Sequence, residues 1–184
     1  IPPDVLQEII TDKDGETGRQ FTAFLRNRGK MLVGELKSVT IDRTRLFNAF
    51  RFVPHLRQFK WRDPRALSIV NLDLTKIQFL TMLRDGEPYI TGIEKRERLG
   101  KSGYICLDAG VFWYFWDNLH LIPESWKEKI DGHVRVICFD GSILEDDVGL
   151  FVITLYWTNG QWIWNKKYLS NNYFYFDLSI AVAA

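Results

Sequence analysis

The sequence predicts an α+β fold with a mixed, mostly antiparallel sheet and one or two packed helices. Three observations carry this. Helix-like stripes lie mainly before Gly132 and strand-like runs after it, so the elements are segregated rather than alternating as in a doubly wound sheet. The run 109–120 sets Val111, Phe112, Phe115, Trp116 and Leu119 on one side of a helix, directly behind Asp108, a good N-cap. The last quarter, 151–184, holds ten Phe, Tyr or Trp residues and only three charges, Lys166, Lys167 and Asp177.

Taken in order, the chain opens with residues 1–15, a short helix or lead-in around Val5, Leu6, Ile9 and Ile10. Phe21, Phe24 and Leu25 predict an amphipathic helix over 16–28, ended by Gly29. Met31, Val33, Val39 and Ile41 read as one or two strands, and Leu46, Phe47, Phe50, Phe52 and Val53 form an apolar patch. Residues 55–64, with His55, Arg57, Lys60 and Arg62, read as an exposed connection. Alternation of Leu67, Ile69, Leu72 and Leu74 predicts a strand over 66–74. An apolar run over 77–83 ends at the turn Asp85-Gly86-Glu87-Pro88. Interleaved acids and bases over 91–99 read as a solvated helix face rather than a nucleic-acid patch. Strands follow at 104–107 and 133–139, with turns at Asp140-Gly141 and 146–149. The chain then closes on a hairpin: strand 151–157, the Thr158-Asn159-Gly160 turn, and return strand 161–168. On that return strand Trp162 and Trp164 share one face, Ile163 and Asn165 the other.

A length of 184 residues suits one domain with an N-terminal addition, divided here as an α/β extension over 1–55 and a main domain over 56–184. The apolar share of 46% is enough for a sizeable core, and a net charge of +1 gives no reason to expect nucleic acid as a partner. No apolar run reaches the length of a membrane span, which makes a cytoplasmic protein the default. Surface display stays open if a segment precedes Ile1, since the chain begins Ile-Pro-Pro without Met. Cys106 and Cys138 sit in apolar runs and read as buried reduced thiols. His55, His120 and His133 are scattered, with no pair at ligand spacing. Asp140, Glu145, Asp146 and Asp147 lack EF-hand spacing and read as solvated turn acids, so no metal or cofactor is expected. The tail Tyr173-Phe174-Tyr175-Phe176, after Ser170, Asn171 and Asn172, is either a core strand or a binding face, because Tyr, Asn and Ser are residues that binding loops favour.

Several stretches carry a family resemblance. They include Ile41-Asp42-Arg43, Leu72-Asp73-Leu74-Thr75-Lys76, Leu107-Asp108-Ala109 and the block over 121–129 (LIPESWKEK). Phe47, Met82-Leu83 with Gly86-Glu87, Gly92 with Glu94-Lys95, Phe139-Asp140-Gly141, Leu155-Tyr156-Trp157, Gly160-Gln161-Trp162, Trp164 and the close Ala181-Val182-Ala183 complete the set. From Thr40 onward the chain resembles a group of uncharacterised bacterial proteins associated with diversity-generating retroelements. That resemblance implies a variable target protein with a C-type-lectin-like fold, whose C-terminal part displays diversified side chains to a ligand. The same fold houses formylglycine-generating enzymes, but their C-terminal cysteine pair has no counterpart here. Adenine-directed diversification of Asn codons is compatible with thirteen positions: Thr158, Asn159, Ile163, Asn165, Tyr168 and the eight residues 170–177. It is incompatible with Gln161, Trp162, Trp164, Lys166 and Lys167. The implied ligand surface is Asn159, Ile163, Asn165, Tyr168, Ser170, Asn171, Asn172, Tyr173, Phe174 and Tyr175. The function expected is non-enzymatic binding of a protein or surface ligand. Two other classes remain open: a metal-assisted enzyme using the acidic turn or His133, and an assembly protein whose aromatic tail packs on a partner chain.

Overall fold

The computed structural model describes residues 37–44, 53 and 55–184. The helix expected over 16–28 and most of the apolar patch over 46–53 lie outside these residues. The compact unit that holds the sheet is Lys37–Ala184, so it begins ahead of the 55/56 boundary set out above.

The elements follow in chain order. Strand β1 (Ser38–Thr40) and β2 (Gln58–Arg62) precede a single helical turn, α1 (Pro64–Leu67). Next come β3 (Asn71–Asp73), β4 (Gln78–Leu80), β5 (Ile90–Thr91), helix α2 (Gly92–Gly100), β6 (Tyr104–Cys106) and helix α3 (Ala109–Asp117). Two 3-10 turns, Leu119–Leu121 and Glu124–Lys127, lead to β7 (Lys129–Ile130), β8 (His133–Val134), β9 (Val136–Cys138) and β10 (Ser142–Glu145). The chain ends with β11 (Leu150–Thr158), β12 (Gln161–Tyr168), β13 (Asn172–Tyr173) and β14 (Asp177–Ala183). The main sheet runs β2-β10-β11-β9-β14-β4, with β12 added to β11 and β6 to β14. Every pairing is antiparallel except β9 with β14. The α+β class holds.

The hairpin is as expected. Phe151 pairs with Tyr168 and Thr158 with Gln161, leaving the two-residue turn Asn159-Gly160. Both turn residues have positive φ, 50° and 78°, which matches the right-handed twist of the strands they join. Asp108 caps α3 by accepting the Val111 N–H at 3.3 Å. Val111, Phe112 and Phe115 are fully buried. Phe112 meets Phe139 and Phe115 meets Trp126 edge-on, at 5.4 and 4.9 Å between centroids. Thus α3 covers the sheet through one stripe, and the LIPESWKEK block supplies Trp126 as its packing partner.

Four expectations need correction. Helix α3 stops at Asp117, where Asn118 leaves helical dihedrals, so Leu119 falls in a 3-10 turn and is 39% exposed while Trp116 is half-buried. Residues 55–64 are not simply a connection: β2 lies within them and pairs with β10. The strand expected over 66–74 divides into the end of α1, a loop and β3, because Asp63 caps a helical turn that begins with Pro64. The tail 173–176 is no continuous strand, since β13 ends at Tyr173.

Replacing Phe112 or Phe115 by Ala is expected to cost about 3–5 kcal/mol in denaturant unfolding. Leu119→Ala is expected to stay within about 0.5 kcal/mol. Equal losses at Phe115 and Leu119 would mean that the helix continues through 120 as the sequence pattern alone suggests.

Candidate functional site

The site is an aromatic turn held over a buried ionic network. Strands β5 and β13 pair Tyr173 with Ile90, which leaves Phe174 beside Tyr89; their rings lie 5.9 Å apart. Side chains alternate along an extended chain, so Tyr173 points in while Asn172 and Phe174 point out. After Phe174 the chain turns sharply. The Asp177 N–H donates to the Phe174 carbonyl at 2.9 Å, and the Phe174 N–H donates to Asp177 Oδ2 at 2.7 Å. This double closure leaves Tyr175 and Phe176 at the corner.

The rings then form one array. Phe176 stacks on Phe174 (5.5 Å, 15°) and on His133 (5.1 Å, 11°), while Tyr175 sets its edge against Phe176 and His133. Tyr89 is 48% exposed and Phe174 37%, and His133 is exposed as well. Parallel-displaced and edge-on packing at these separations is favourable in its own right, so the array is rigid before any ligand arrives.

Tyr173 is the hinge between this face and the core. It is 1% exposed, and its hydroxyl donates to the Lys167 carbonyl at 3.1 Å. Two ammonium groups approach its ring, Lys95 Nζ at 4.7 Å and Lys167 Nζ at 4.8 Å from the centroid. Each ammonium has its own carboxylate. Lys95 donates to Asp140 Oδ2 at 3.1 Å, and Lys167 donates to Asp177 Oδ1 at 2.7 Å. Ser179 Oγ adds a third group by donating to Asp140 at 2.7 Å. Burial alone would drive the Lys95 ammonium to lose its proton, but the Asp140 charge outweighs it and the pKa is raised. Helix α2 reaches this spot because it begins with glycine. A Cβ on Gly92 would sit 2.6 Å from Tyr173 Cε2 and 2.7 Å from Leu169 Cα.

This corrects three readings of the sequence. Helix α2 is not a wholly solvated face: Lys95, within Glu-Lys-Arg-Glu-Arg, is 1% exposed. Asp140 and Asp146 are buried, ion-paired acids rather than solvated turn acids. Tyr173 is core and cannot belong to a ligand surface.

Asp146 accepts from Lys166 Nζ at 2.7 Å, from the Tyr168 hydroxyl at 3.0 Å and from the N–H groups of Val148 and Gly149. Burial acts to raise its pKa, yet these hydrogen bonds win and hold it down to about 2. Glu145 faces Gln58 and Lys60, and Asp147 faces Arg57. Among the described residues, no three His, Cys, Asp or Glu side chains gather where they would hold a metal ion. Cys106 and Cys138 are free and buried, and burial pushes both thiols up to about 12.

The ten expected ligand residues do not form one patch. Ser170, Asn171, Asn172 and Phe174 are exposed, and Tyr175 is half-buried; these five cluster at the aromatic turn. Asn159 sits at the far tip of the hairpin, nine positions from Tyr168 along β12. At about 3.3 Å per residue that is roughly 30 Å away. Ile163 is half-buried opposite Tyr156, Asn165 is exposed opposite Thr154, and Tyr168 is tied down by Asp146. The expected division of β12 holds for Trp162, which is buried, and for exposed Asn165, while Trp164 and Ile163 are both half-buried. Tyr89, His133 and Phe176 belong to the array and were absent from the expected set. Tyr89 and His133 lie 85 and 41 positions from Phe174, which hides them from any local pattern, whereas Phe176 stands in the same aromatic run.

In comparison with known proteins, the chain matches no family model, no curated protein and no solved structure. Among the described residues no helix is long and apolar enough to cross a membrane.

Lys95→Met leaves Asp140 buried without its counter-charge and is expected to cost about 3–5 kcal/mol in chemical unfolding. The double variant Lys95→Met/Asp140→Leu should recover much of that loss. Asp146 gives a separate pH signature. Its folded pKa lies below the unfolded one, so its contribution is present above about pH 4 and lost as pH falls toward about 2. Unfolding of Asp146→Asn measured across that window is expected to show a flatter pH dependence than the parent chain.

Proposed function

We propose that the protein is a non-enzymatic binding protein that holds a protein or surface ligand against the aromatic turn. The observation that carries this reading is the preformed array of Tyr89, Phe174, Phe176, His133 and Tyr175, with two of its large rings substantially exposed. Aromatic anchors dominate interface energies, and rigid rings lose little entropy on binding. Exposed Ser170, Asn171 and Asn172 sit immediately before the turn and supply adaptable hydrogen-bonding groups. The buried thiols, held protonated up to about pH 12, are poorly suited to nucleophilic chemistry.

In this reading the protein acts as a variable protein of a diversity-generating retroelement, with a C-type-lectin-like scaffold. The family resemblance of the sequence is the basis for that finer statement. Burial is consistent with it over part of the tail: Ser170, Asn171, Asn172 and Phe174 are both codon-compatible and exposed. Tyr173 and Asp177 are codon-compatible but buried, and are therefore fixed by packing rather than free to vary.

The double variant Tyr89→Ser/Phe174→Ser is expected to unfold within about 1 kcal/mol of the parent chain, because neither ring is core. It is also expected to lose a partner that the parent chain and Asn159→Ser both retain in affinity capture from host cells. Retention of that partner by the double variant would overturn the aromatic turn as the contact surface. Sequencing the gene across a clonal population addresses the retroelement separately: substitutions at adenines should concentrate in the codons of Ser170, Asn171, Asn172 and Phe174 and spare Tyr173, Trp162 and Trp164.

A further inference from the structure

The outer face of α2 leads away from the aromatic turn. The helix starts beside that turn: the Gly92 and Ile93 N–H groups donate to the carbonyls of Asn171 and Leu169, at 3.2 Å each. Ile93, in the first helical turn, is 58% exposed. Arg96, three residues on, shares its face of the helix. The Arg96 guanidinium carbon lies over the Trp61 ring of β2, 4.6 Å from its centroid, and that ring is 37% exposed. Ile93, Arg96 and Trp61 thus extend the exposed surface that Ser170 and Asn171 begin.

The charge on this face is uncompensated. Arg43, Arg57, Arg62, Arg65, Arg98 and Arg135 each have a carboxylate partner. Among the described residues Arg96 has none, and its contact with Trp61 engages a ring rather than a hydrogen-bond acceptor. Its neighbours three and four positions away on the helix are Gly92, Ile93, Leu99 and Gly100, which carry no charge. Glu97 is next in sequence but points about 100° round the helix. Beside Trp61 on β2 stand Lys60 and Arg62, and the acid that follows, Asp63, is buried and held by Arg65. Arg96 itself is half-buried, so its stem is already packed and its charged head remains to be matched.

This face restricts which partner the aromatic turn can hold. A protein surface broad enough to cover Tyr89, Phe174 and Ile93 also takes Arg96 out of water. Desolvating a guanidinium without a counter-charge is strongly unfavourable, whereas a carboxylate set against its planar fork offsets the loss. Trp61 then shields that pair from water, as aromatic residues do at the centre of interfaces. We propose that the partner is a protein segment in which an Asp or Glu side chain, flanked by apolar residues, meets Arg96 while the apolar residues lie on Ile93 and Trp61. This rests on the reading of the aromatic turn as a contact surface and adds to it the charge of the partner.

A phage-displayed library of random peptides is a defined probe. Panning on the whole immobilised chain is expected to select peptides that carry Asp or Glu next to large apolar residues. A selected peptide, synthesised with a fluorescent label, is then titrated by polarisation. Arg96→Gln should raise its Kd at least tenfold, and Arg96→Lys should give a smaller loss. Tyr89→Ser/Phe174→Ser should also raise it at least tenfold. Added salt should weaken binding to the parent chain and have little effect on what remains in Arg96→Gln. Thermal unfolding of each variant confirms that the chain is folded. The proposal is overturned if no peptide is selected, if the selected peptides are no more acidic than the library, or if folded Arg96→Gln binds as well as the parent. Where Arg96→Gln binds as the parent does and Tyr89→Ser/Phe174→Ser does not, the acidic partner is lost and the turn stands as a contact surface. Where folded Tyr89→Ser/Phe174→Ser binds as well as the parent, the reading of the turn falls and this inference falls with it.

Discussion

The buried pair of Lys95 and Asp140 is the constraint around which the chain closes. Taking two charges out of water costs several kcal/mol for each ion, and only close pairing with further hydrogen bonds offsets it. The offset here is drawn from four parts of the sequence. Helix α2 supplies Lys95, the turn after β9 supplies Asp140, β14 supplies Ser179, and β13 brings the Tyr173 ring over the ammonium. A shift of any one by a single residue would leave a charge without its partner. The pair is thus better understood as fixing the register of the C-terminal strands than as adding net stability.

The second pair, Lys167 with Asp177, extends that logic to the surface. Asp177 uses one oxygen on Lys167 and the other on the Phe174 N–H, so a single buried carboxylate both neutralises a half-buried ammonium and closes the exposed turn. The aromatic face inherits its rigidity from this shared atom group. Phe174, Tyr175 and Phe176 would otherwise be three large rings on a short loop, free to collapse onto the nearest apolar surface. Anchored at both ends, they stack on one another and on His133 instead.

The local features were legible in the sequence. The Asn159-Gly160 turn, the strands around it, the Asp108 cap and the apolar stripe of α3 each depend on residues within one turn or one hairpin of each other. What stayed hidden depends on distant partners. Lys95 lies in a run of alternating charges that looks solvated on any helical wheel, and only the arrival of Asp140, 45 positions later, explains its burial. Strand β2 has the Phe59 and Trp61 alternation of a strand, but four basic residues around it masked the pattern. Tyr173 and Phe174 are neighbours of similar chemistry with opposite fates. Their assignment is set by pairing with β5, which composition does not encode.

That opposition between Tyr173 and Phe174 bears on how such a surface can change without unfolding its scaffold. In an extended segment adjacent residues face opposite ways, so variation confined to alternate positions alters the surface and leaves the core intact. Asn172 and Phe174 flank Tyr173 in this way, and Tyr173 carries the ring that both lysines approach. A diversifying process that changed Tyr173 as freely as Phe174 would strip packing from the buried Lys95 ammonium and the half-buried Lys167 ammonium at once. Codon chemistry does not distinguish these residues, so a process of that kind would leave folding to remove the unfit variants. The energetic asymmetry between an exposed ring and a buried one next to paired charges is large enough to do so: typical domain stabilities are only about 5–15 kcal/mol, and losing a buried aromatic side chain costs about 3–5.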